Sequence, residues 1–551
     1  MKRRGIWIIF LIALFLRFFK LSDFPAGFTP DEAAQGYTAY SILKTGKDEW
    51  GIKFPINPRS FGDFKAPLYT YLTVPSIAIF GLNKFAVRLP NALLGSLAVL
   101  TVYFLAKQLF KNKHEIGLFS ALLLAFSPWH ISLSRGAFEA NLSAFFLSLV
   151  VWLFLAGIYH SRFLFLSSLI FSLNLFTYHS AKFVSPLILL ALIFWQKKEL
   201  LKKFKKEKVV FFFSGGIILF FMFLIFLGFI KGAGTRASDI GIFSGGWQSV
   251  ADLRFWAVRF GLPDTISRIF NNKLTFAWGE FIKSYFSYLS PQFLFTQGAG
   301  EAAYGMFPGF GVLYLFEVIF VVTAVYFLLK EKDVNLKFLF FWVFISPIPA
   351  ALTRGVGYHA TRVAVMMPAL QIISAFGAVK FVEWSKNYFK KYFVFVSLLS
   401  CFLVVLSLTF FLEKYFFYAP LVNAPKMSYG WDQVAAFLKE TKARQIIISR
   451  NLSEPQAYVM FYLKLDPSWV QKETPRWLVY EKQGQRFIDQ LGTYSLGNIL
   501  FRNFSFPEDW QNKETVFVGT EKDFYGQDVS IFKVEKINYP DGKTAMIIVE
   551  K

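Results

Sequence analysis

FGDFKAPLYTYLTVPSIAIFGLNKFAVRLP, residues 61–90, decides the topology of the chain. From Ala66 to Leu82 it is apolar enough for a membrane helix, yet it contains Pro67 and Pro75, and Asp63, Lys65 and Arg88 flank it. If it crosses a bilayer, every later loop changes sides. Eleven other segments read as spans, since crossing takes about 20 mostly apolar residues: 5–22, 88–110, 115–131, 139–158, 162–178, 181–196, 209–230, 306–329, 336–352, 360–382 and 392–414. Lysine placement arbitrates. With 66–82 kept on one side, KNKHE (111–115), HSR (160–162), KKELLKKFKKEK (197–208), KEKDVNLK (330–337) and EWSKNYFKK (383–391) join MKRR in the cytoplasm. With it crossing, all of them are translocated. Cytoplasmic loops carry the lysine excess of membrane proteins. The stretch is therefore expected to enter and leave on the outer face as a helix broken at proline, which is tolerated where backbone lines a cavity. It then forms one wall of a site.

Composition points the same way. The 551 residues have a mean hydropathy of +0.44, are 55% apolar and include 71 phenylalanines. That describes a polytopic α-helical membrane protein rather than a large soluble core. The net charge of +23 sits in short lysine runs between apolar segments, so it marks cytoplasmic loops and argues against nucleic acid as a partner. A single cysteine, Cys401, excludes an intramolecular disulfide and a Cys zinc site. MKRRGIWIIFLIALFLRFFKL starts like a secretory signal but lacks a small-x-small cleavage site, predicting an uncleaved anchor with a cytoplasmic N-terminus in the plasma (inner) membrane. About 11–13 transmembrane helices are expected over 1–414, with outer loops 23–87 and 231–305. The outer segment 231–305 reads as interfacial amphipathic helices. A small extracytoplasmic α/β domain is expected over 415–551, where WDQVAAFLKETKA and EPQAYVMFYLKL read as helices and QIIISR, NILFRNF, TVFVGT, VSIFKVEK and TAMIIVEK as strands.

This topology also sorts the ionisable residues. FTPDEAAQGY (28–37), FGDFKAP (61–67), WHISLSRGAFEAN (129–141), TYHSAK (177–182) and TRGVGYHATR (353–362) collect outside, as a membrane-embedded active site facing outward requires. Thr29 can cap a helix opening Pro30-Asp31-Glu32, which is a structural use for both acids. At a membrane surface, a partly desolvated Asp31 or Glu32 can instead act as a general base or position a metal. Asp48 and Glu49 read as solvated. Lys65 either snorkels or offers a compact cation to a phosphate, and Arg88 either anchors its span or does the same. Arg135 and Glu139, four apart, read as an intrahelical pair or as functional groups at an outer span end. Asp63, Tyr178, His179 and Lys182 are further candidates for contact with substrate, and His359 and Arg362 share one helix face. No HExxH or Cys/His spacing marks a metal site. Cations at lipid depth beside a carboxylate suit a lipid-linked phosphate, the cations neutralising the leaving group and the acid activating an acceptor.

These residues lie in runs that resemble the bacterial GT-C glycosyltransferases, relatives of protein O-mannosyltransferases and of the aminoarabinose transferase that modifies lipid A. The runs are TPDEAAQGYTAYSILKTGKDEWG, SFGDFKAPLYTYLTVPSIAIFGLNKFAVRLPNALLGSLAVL, SRGAFEANLSAFFL, LFTYHSAKFVSPL and GYHATRVAVMMP. The resemblance implies a GT-C fold. It also implies inverting transfer of one sugar from a polyprenyl-phosphate-linked donor to an acceptor protein, lipid or envelope glycan outside the cytoplasm, with membrane lipids around the protein. By the same resemblance Asp31 is the general base and Glu32 its neighbour. Lys65, Arg88 and Arg362, with His359, face the donor phosphate, and Glu139 stands near a second outer acid that the family often has as Asp at another spacing. No cofactor is required by this reading, and a divalent cation is an open alternative. Two other classes compete. One is an oligosaccharyltransferase or O-antigen-ligase-like enzyme using a polyprenyl-pyrophosphate glycan. The other is a lipid or solute transporter, for which repeated halves and mid-membrane charges are the usual signs.

Overall fold

The computed structural model describes residues 2–60, 63–111, 113–228, 230, 241–244, 247–355, 358–485, 488–512 and 514–551. Residues 61–62, 231–240, 245–246 and 356–357 of the outer segments lie outside the described residues, as does the side chain of Asp63. Each of the eleven expected spans contains a helix. Among the described residues, six helices are long and apolar enough to cross a membrane: Lys84–Leu109, Glu139–Gly157, Lys208–Gly228, Val334–Ala351, Ala360–Phe395 and Ser397–Met427. His114–Phe126 and Pro128–Ser134, bent by 58°, make a seventh if they form one span. This falls short of the expected 11–13 because several apolar segments turn early. Proline at 128 restarts the chain in a new direction, Arg162–Asn174 and Ala181–Trp195 are short, and the segment 306–329 becomes a long helix only at Glu317. The protein is integral to a membrane, and the apolar flanks of 208–228 and 393–413, with Phe212, Phe223, Phe395 and Phe402 exposed, are surfaces that lipid covers.

The anchor α1 (Lys2–Phe18) leads through residues 19–29 into α2 (Pro30–Thr45), followed by α3 (Pro67–Phe80) and α4 (Lys84–Leu109). α3 carries the opening question. It runs unbroken through Pro75 and ends at Gly81, whose φ of 74° suits glycine. Its 14 residues reach about 21 Å, short of the roughly 30 Å of a hydrocarbon core. Both ends are held by the same body. Lys65 Nζ lies 2.8 Å from Asp31 Oδ1 in α2, and Lys84 Nζ lies 3.0 Å from Asp432 Oδ2 in the C-terminal region. Tyr69 donates its hydroxyl to Val87 O, and Ser76 to Ala86 O, tying α3 against the first turn of α4. The stretch is thus an intact short hairpin arm, not a helix broken at proline.

The C-terminal region carries a six-stranded mixed sheet. β3 (Gln445–Ile448) lies parallel to β5 (Ile499–Phe501) and β6 (Thr515–Gly519). β4 (Tyr494–Leu496) extends one edge, while β8 (Thr544–Glu550) and β7 (Lys533–Asn538) extend the other, all antiparallel. β4 was not among the strands expected from the sequence. The helices of this region pack on α2. Tyr37 Oη donates to Leu465 O, Gln471 Nε2 reaches Ser41 Oγ, Thr45 Oγ1 and Asp48 O, and Thr474 Oγ1 donates to Glu49 O. That cover overturns one expectation: Asp48 and Glu49 are buried, not solvated. Burial pushes Asp48 up to about 6 and Glu49, which also feels the Asp48 charge, up to about 8. The segment 247–287 forms three helices, Trp247–Arg259, Asp264–Phe270 and Lys273–Ser287, with Trp256, Phe260, Phe270 and Trp278 exposed, the pattern of interfacial helices.

Candidate active site

A cavity of about 300 Å³ opens at the N-terminus of α2. Its geometry begins with a capping box. Thr29 Oγ1 accepts from Glu32 N at 3.2 Å, and Glu32 Oε2 accepts from Thr29 N at 3.0 Å. With Pro30 at the first turn, this pulls Glu32 back into the protein and leaves Asp31 at the mouth. The two neighbouring acids therefore differ sharply: the Asp31 side chain is 57% exposed and Glu32 is 0% exposed. Asp31 pairs with Lys65, which arrives from the short hairpin β1 (Arg59–Ser60) and β2 (Asp63–Phe64) just before α3. Glu139 opens the helix Glu139–Gly157, and its Oε1 accepts from Gln35 Nε2 at 2.8 Å. Ser60, Tyr178, Tyr304, Thr361, Lys426 and Glu454 add to the polar lining.

Of the residues singled out in the sequence, Asp31, Lys65, Glu139 and Tyr178 line this cavity. Glu32, Arg88 and Arg135 do not, and their partners explain why. Arg88 is fully buried and spends its donors inside the protein: Nε on Glu32 Oε1 at 2.9 Å, Nη1 on Leu21 O and Pro25 O, and Nη2 on Gly27 O and Glu32 Oε2. Glu32 Oε1 accepts Ala137 N as well. This is a strut under the mouth, so Arg88 has no donor left for a phosphate and Glu32 has no open oxygen for proton transfer. Arg135 forms no pair with Glu139. It reaches back to Leu16 O and Phe19 O at the end of α1, with Tyr415 and Phe416 against its guanidinium. A charged residue at a span end can cap a neighbouring helix as well as face a cavity, and nothing in sequence spacing separates the two.

His359 and Arg362 flank the cavity rather than line it. His359 Nδ1 sits 3.2 Å from Glu301 Oε1, whose carboxylate also accepts from Thr361 N and Thr361 Oγ1. Arg362 donates to Thr353 Oγ1 and Arg354 O. Glu301 thereby sets the turn that places Thr361 on the cavity wall. His179 and Lys182 follow Tyr178 but are not in the lining, and α3 itself contributes none of it. Asp63 pairs by its backbone with Ser60. Sequence reasoning missed Glu301, Tyr304, Thr361, Lys426 and Glu454. Glu301 stood out only as an acid between glycines in GAGEAAYG, and the other four carry no local signal. Among the described residues, no group of three or more His, Cys, Asp and Glu side chains is placed to hold a metal ion.

The arrangement joins a solvent-reaching carboxylate, a lysine in contact with it and a second, positioned acid. Such a site can take a proton from a nucleophile and hold an anionic leaving group. Residues 64–227 match the family model of dolichyl-phosphate-mannose-protein mannosyltransferase. No curated protein matches the chain. Among solved structures, ArnT from Cupriavidus metallidurans superposes with a TM-score of 0.52 in the apo state, at 11% identity, over 100% of this chain and 98% of that one. Its undecaprenyl-phosphate-bound form gives 0.53 at 12% identity, over 100% and 97%. The oligosaccharyltransferase of Archaeoglobus fulgidus, in complex with Zn and sulfate, gives 0.50 at 14% identity, over 98% of this chain and 72% of that one. At such identities the superpositions carry the fold alone. The chain is thus similar to the dolichyl-phosphate-mannose-protein mannosyltransferases over residues 64–227, and its whole length shares the fold of ArnT.

Proposed function

We infer that the protein transfers one sugar from a polyprenyl-phosphate-linked donor to a hydroxyl-bearing acceptor outside the cytoplasm, with inversion. The observation that carries this is the Asp31–Lys65 contact of 2.8 Å in a cavity at the N-terminus of α2. Asp31 takes the acceptor proton as the acceptor oxygen attacks the anomeric carbon. The bond from that carbon to the phosphate oxygen breaks on the opposite face, and the phosphate leaves with the electron pair towards Lys65. Glu139, oriented by Gln35, faces the sugar. The undecaprenyl phosphate in the related ArnT structure and the dolichyl-phosphate-mannose donor named by the family model support a lipid-phosphate donor. The lysine-rich loops support a cytoplasmic N-terminus, a site facing outward and residence in the plasma membrane. The acceptor is a protein, a lipid or an envelope glycan.

The test uses purified protein supplied with membrane extracts containing native polyprenyl-phosphate sugars, with released polyprenyl phosphate measured by mass spectrometry. Asp31→Asn is expected to lower release by about a hundredfold or more while the protein still inserts and melts normally. Release at the wild-type rate would remove Asp31 from the mechanism.

A further inference from the structure

The two lysines in the cavity differ. Lys65 is paired with Asp31, whereas Lys426 is exposed and forms no ion pair or hydrogen bond among the described residues. Its position is nonetheless fixed by backbone. Residues Ala424–Met427 form a tight turn, and Met427 O accepts from Phe28 N at 2.7 Å. On the other side of the same residue, Tyr458 Oη donates to Phe28 O at 2.9 Å. Gly27, at φ 103°, makes the approach feasible, for a Cβ there would stand 2.4 Å from Met427 O. The C-terminal region thus grips the chain one residue before the Thr29 cap, and the grip brings Lys426 to the mouth that holds Asp31.

We propose that Lys426 binds the phosphate of the lipid donor together with Lys65, so that the C-terminal region completes the active site. This rests on the polyprenyl-phosphate reading above. A desolvated phosphate needs cations to offset its burial. The guanidinium groups of Arg88 and Arg135 are committed to Glu32 and to backbone carbonyls, and Lys65 shares its charge with Asp31. Lys426 supplies an ammonium that pairs with no carboxylate among the described residues. In the transfer step the bond between the anomeric carbon and the phosphate oxygen breaks, the electron pair stays on that oxygen, and the diester monoanion becomes a monoester approaching two charges. Lys426 opposes the added charge, so it acts more strongly on the released lipid phosphate than on the donor. A mobile ammonium on a flexible stem also lets that product depart.

The experiment measures binding of farnesyl phosphate, with farnesol as the uncharged control, to the full-length protein in detergent micelles. Lys426→Ala and Lys426→Gln are expected to raise the Kd for farnesyl phosphate about tenfold, the size of one charge-assisted contact. Lys426→Arg should stay within about threefold of wild type. Farnesol binding and melting temperature should not change, which a merely structural role for Lys426 would not give. Wild-type affinity in Lys426→Ala, with Lys65→Ala weakened, overturns this proposal and leaves the donor reading standing. A wild-type protein that does not distinguish farnesyl phosphate from farnesol overturns the donor reading, and the proposal falls with it.

Discussion

Replacing Arg88 by methionine keeps most of the volume of its stem and removes every donor it supplies. The carboxylate of Glu32 then stays buried with only backbone N–H groups of Thr29 and Ala137 and the Thr29 hydroxyl within reach. Breaking one side of a buried ion pair costs about 3–5 kcal/mol. The carbonyls of Leu21, Pro25 and Gly27, which accept from Arg88 at 3.1, 3.2 and 2.7 Å, lose a donor together, and each adds about 1 kcal/mol or more unless water enters. The sum, roughly 6–8 kcal/mol, is comparable with the whole stability of an ordinary domain. Arg88→Met is therefore expected to accumulate poorly and to melt many degrees below wild type in detergent. Glu32→Leu combined with Arg88→Met removes both charges and should recover the ion-pair share of the loss but not the carbonyl share, so the double variant should melt above Arg88→Met and below wild type. The assay is thermal unfolding of purified protein alongside farnesyl phosphate binding. An Arg88→Met protein that melts like wild type and has lost only phosphate binding would refute the strut and return Arg88 to the donor site.

Other outcomes follow from the same geometry. Burial holds the Glu49 carboxyl near 8 in the folded protein, above its unfolded range, so the folded state prefers it protonated. Its effect on stability is nil below about pH 4.5 and grows unfavourable as pH rises towards 8. Glu49→Gln should therefore gain in melting temperature over wild type at pH 8 and not at pH 5, and parallel profiles would contradict the burial argument. On a Cys401→Ser background, Lys53→Cys and Asn83→Cys should both react with a membrane-impermeant maleimide from outside, and Lys202→Cys only after permeabilisation; opposite sidedness of 53 and 83 would mean that α3 crosses. Gly27→Ala forces a Cβ against Met427 O at 2.4 Å from a positive φ, and should cost about 1–3 kcal/mol and loosen protection of the C-terminal region against limited proteolysis. An unchanged digestion pattern would deny the grip.

How much of this was legible beforehand depends on the range of the signal. The Thr29-Pro30-Asp31-Glu32 cap is local, and it predicted the helix, its start and the placement of acids in its first turn. The same pattern could not say that the two acids point apart, because that follows from Arg88 and Ala137, 56 and 105 residues beyond Glu32. Lysine asymmetry sets an expectation for the sidedness of 66–82 that the labelling at 53 and 83 tests, while the proline rule misjudged its interior: the helix absorbs Pro75 without a break. Asp48 and Glu49 looked solvated because their loop is polar, and the residues that cover it, Gln471 and Thr474, come more than 400 residues later. Lys426 and Glu454 reach the cavity only through the docking of the C-terminal region.

The contact between Phe28 and Met427 has a consequence for how the protein is made. The segment that carries Asp31 leaves the ribosome nearly four hundred residues ahead of one of its anchors. Until that late segment has folded against Phe28, the mouth of the cavity lacks both its brace and Lys426. A chain in mid-synthesis can insert its helices before the cavity has all of its walls. A region made late is thus a completeness check on a cavity whose other wall is made long before it.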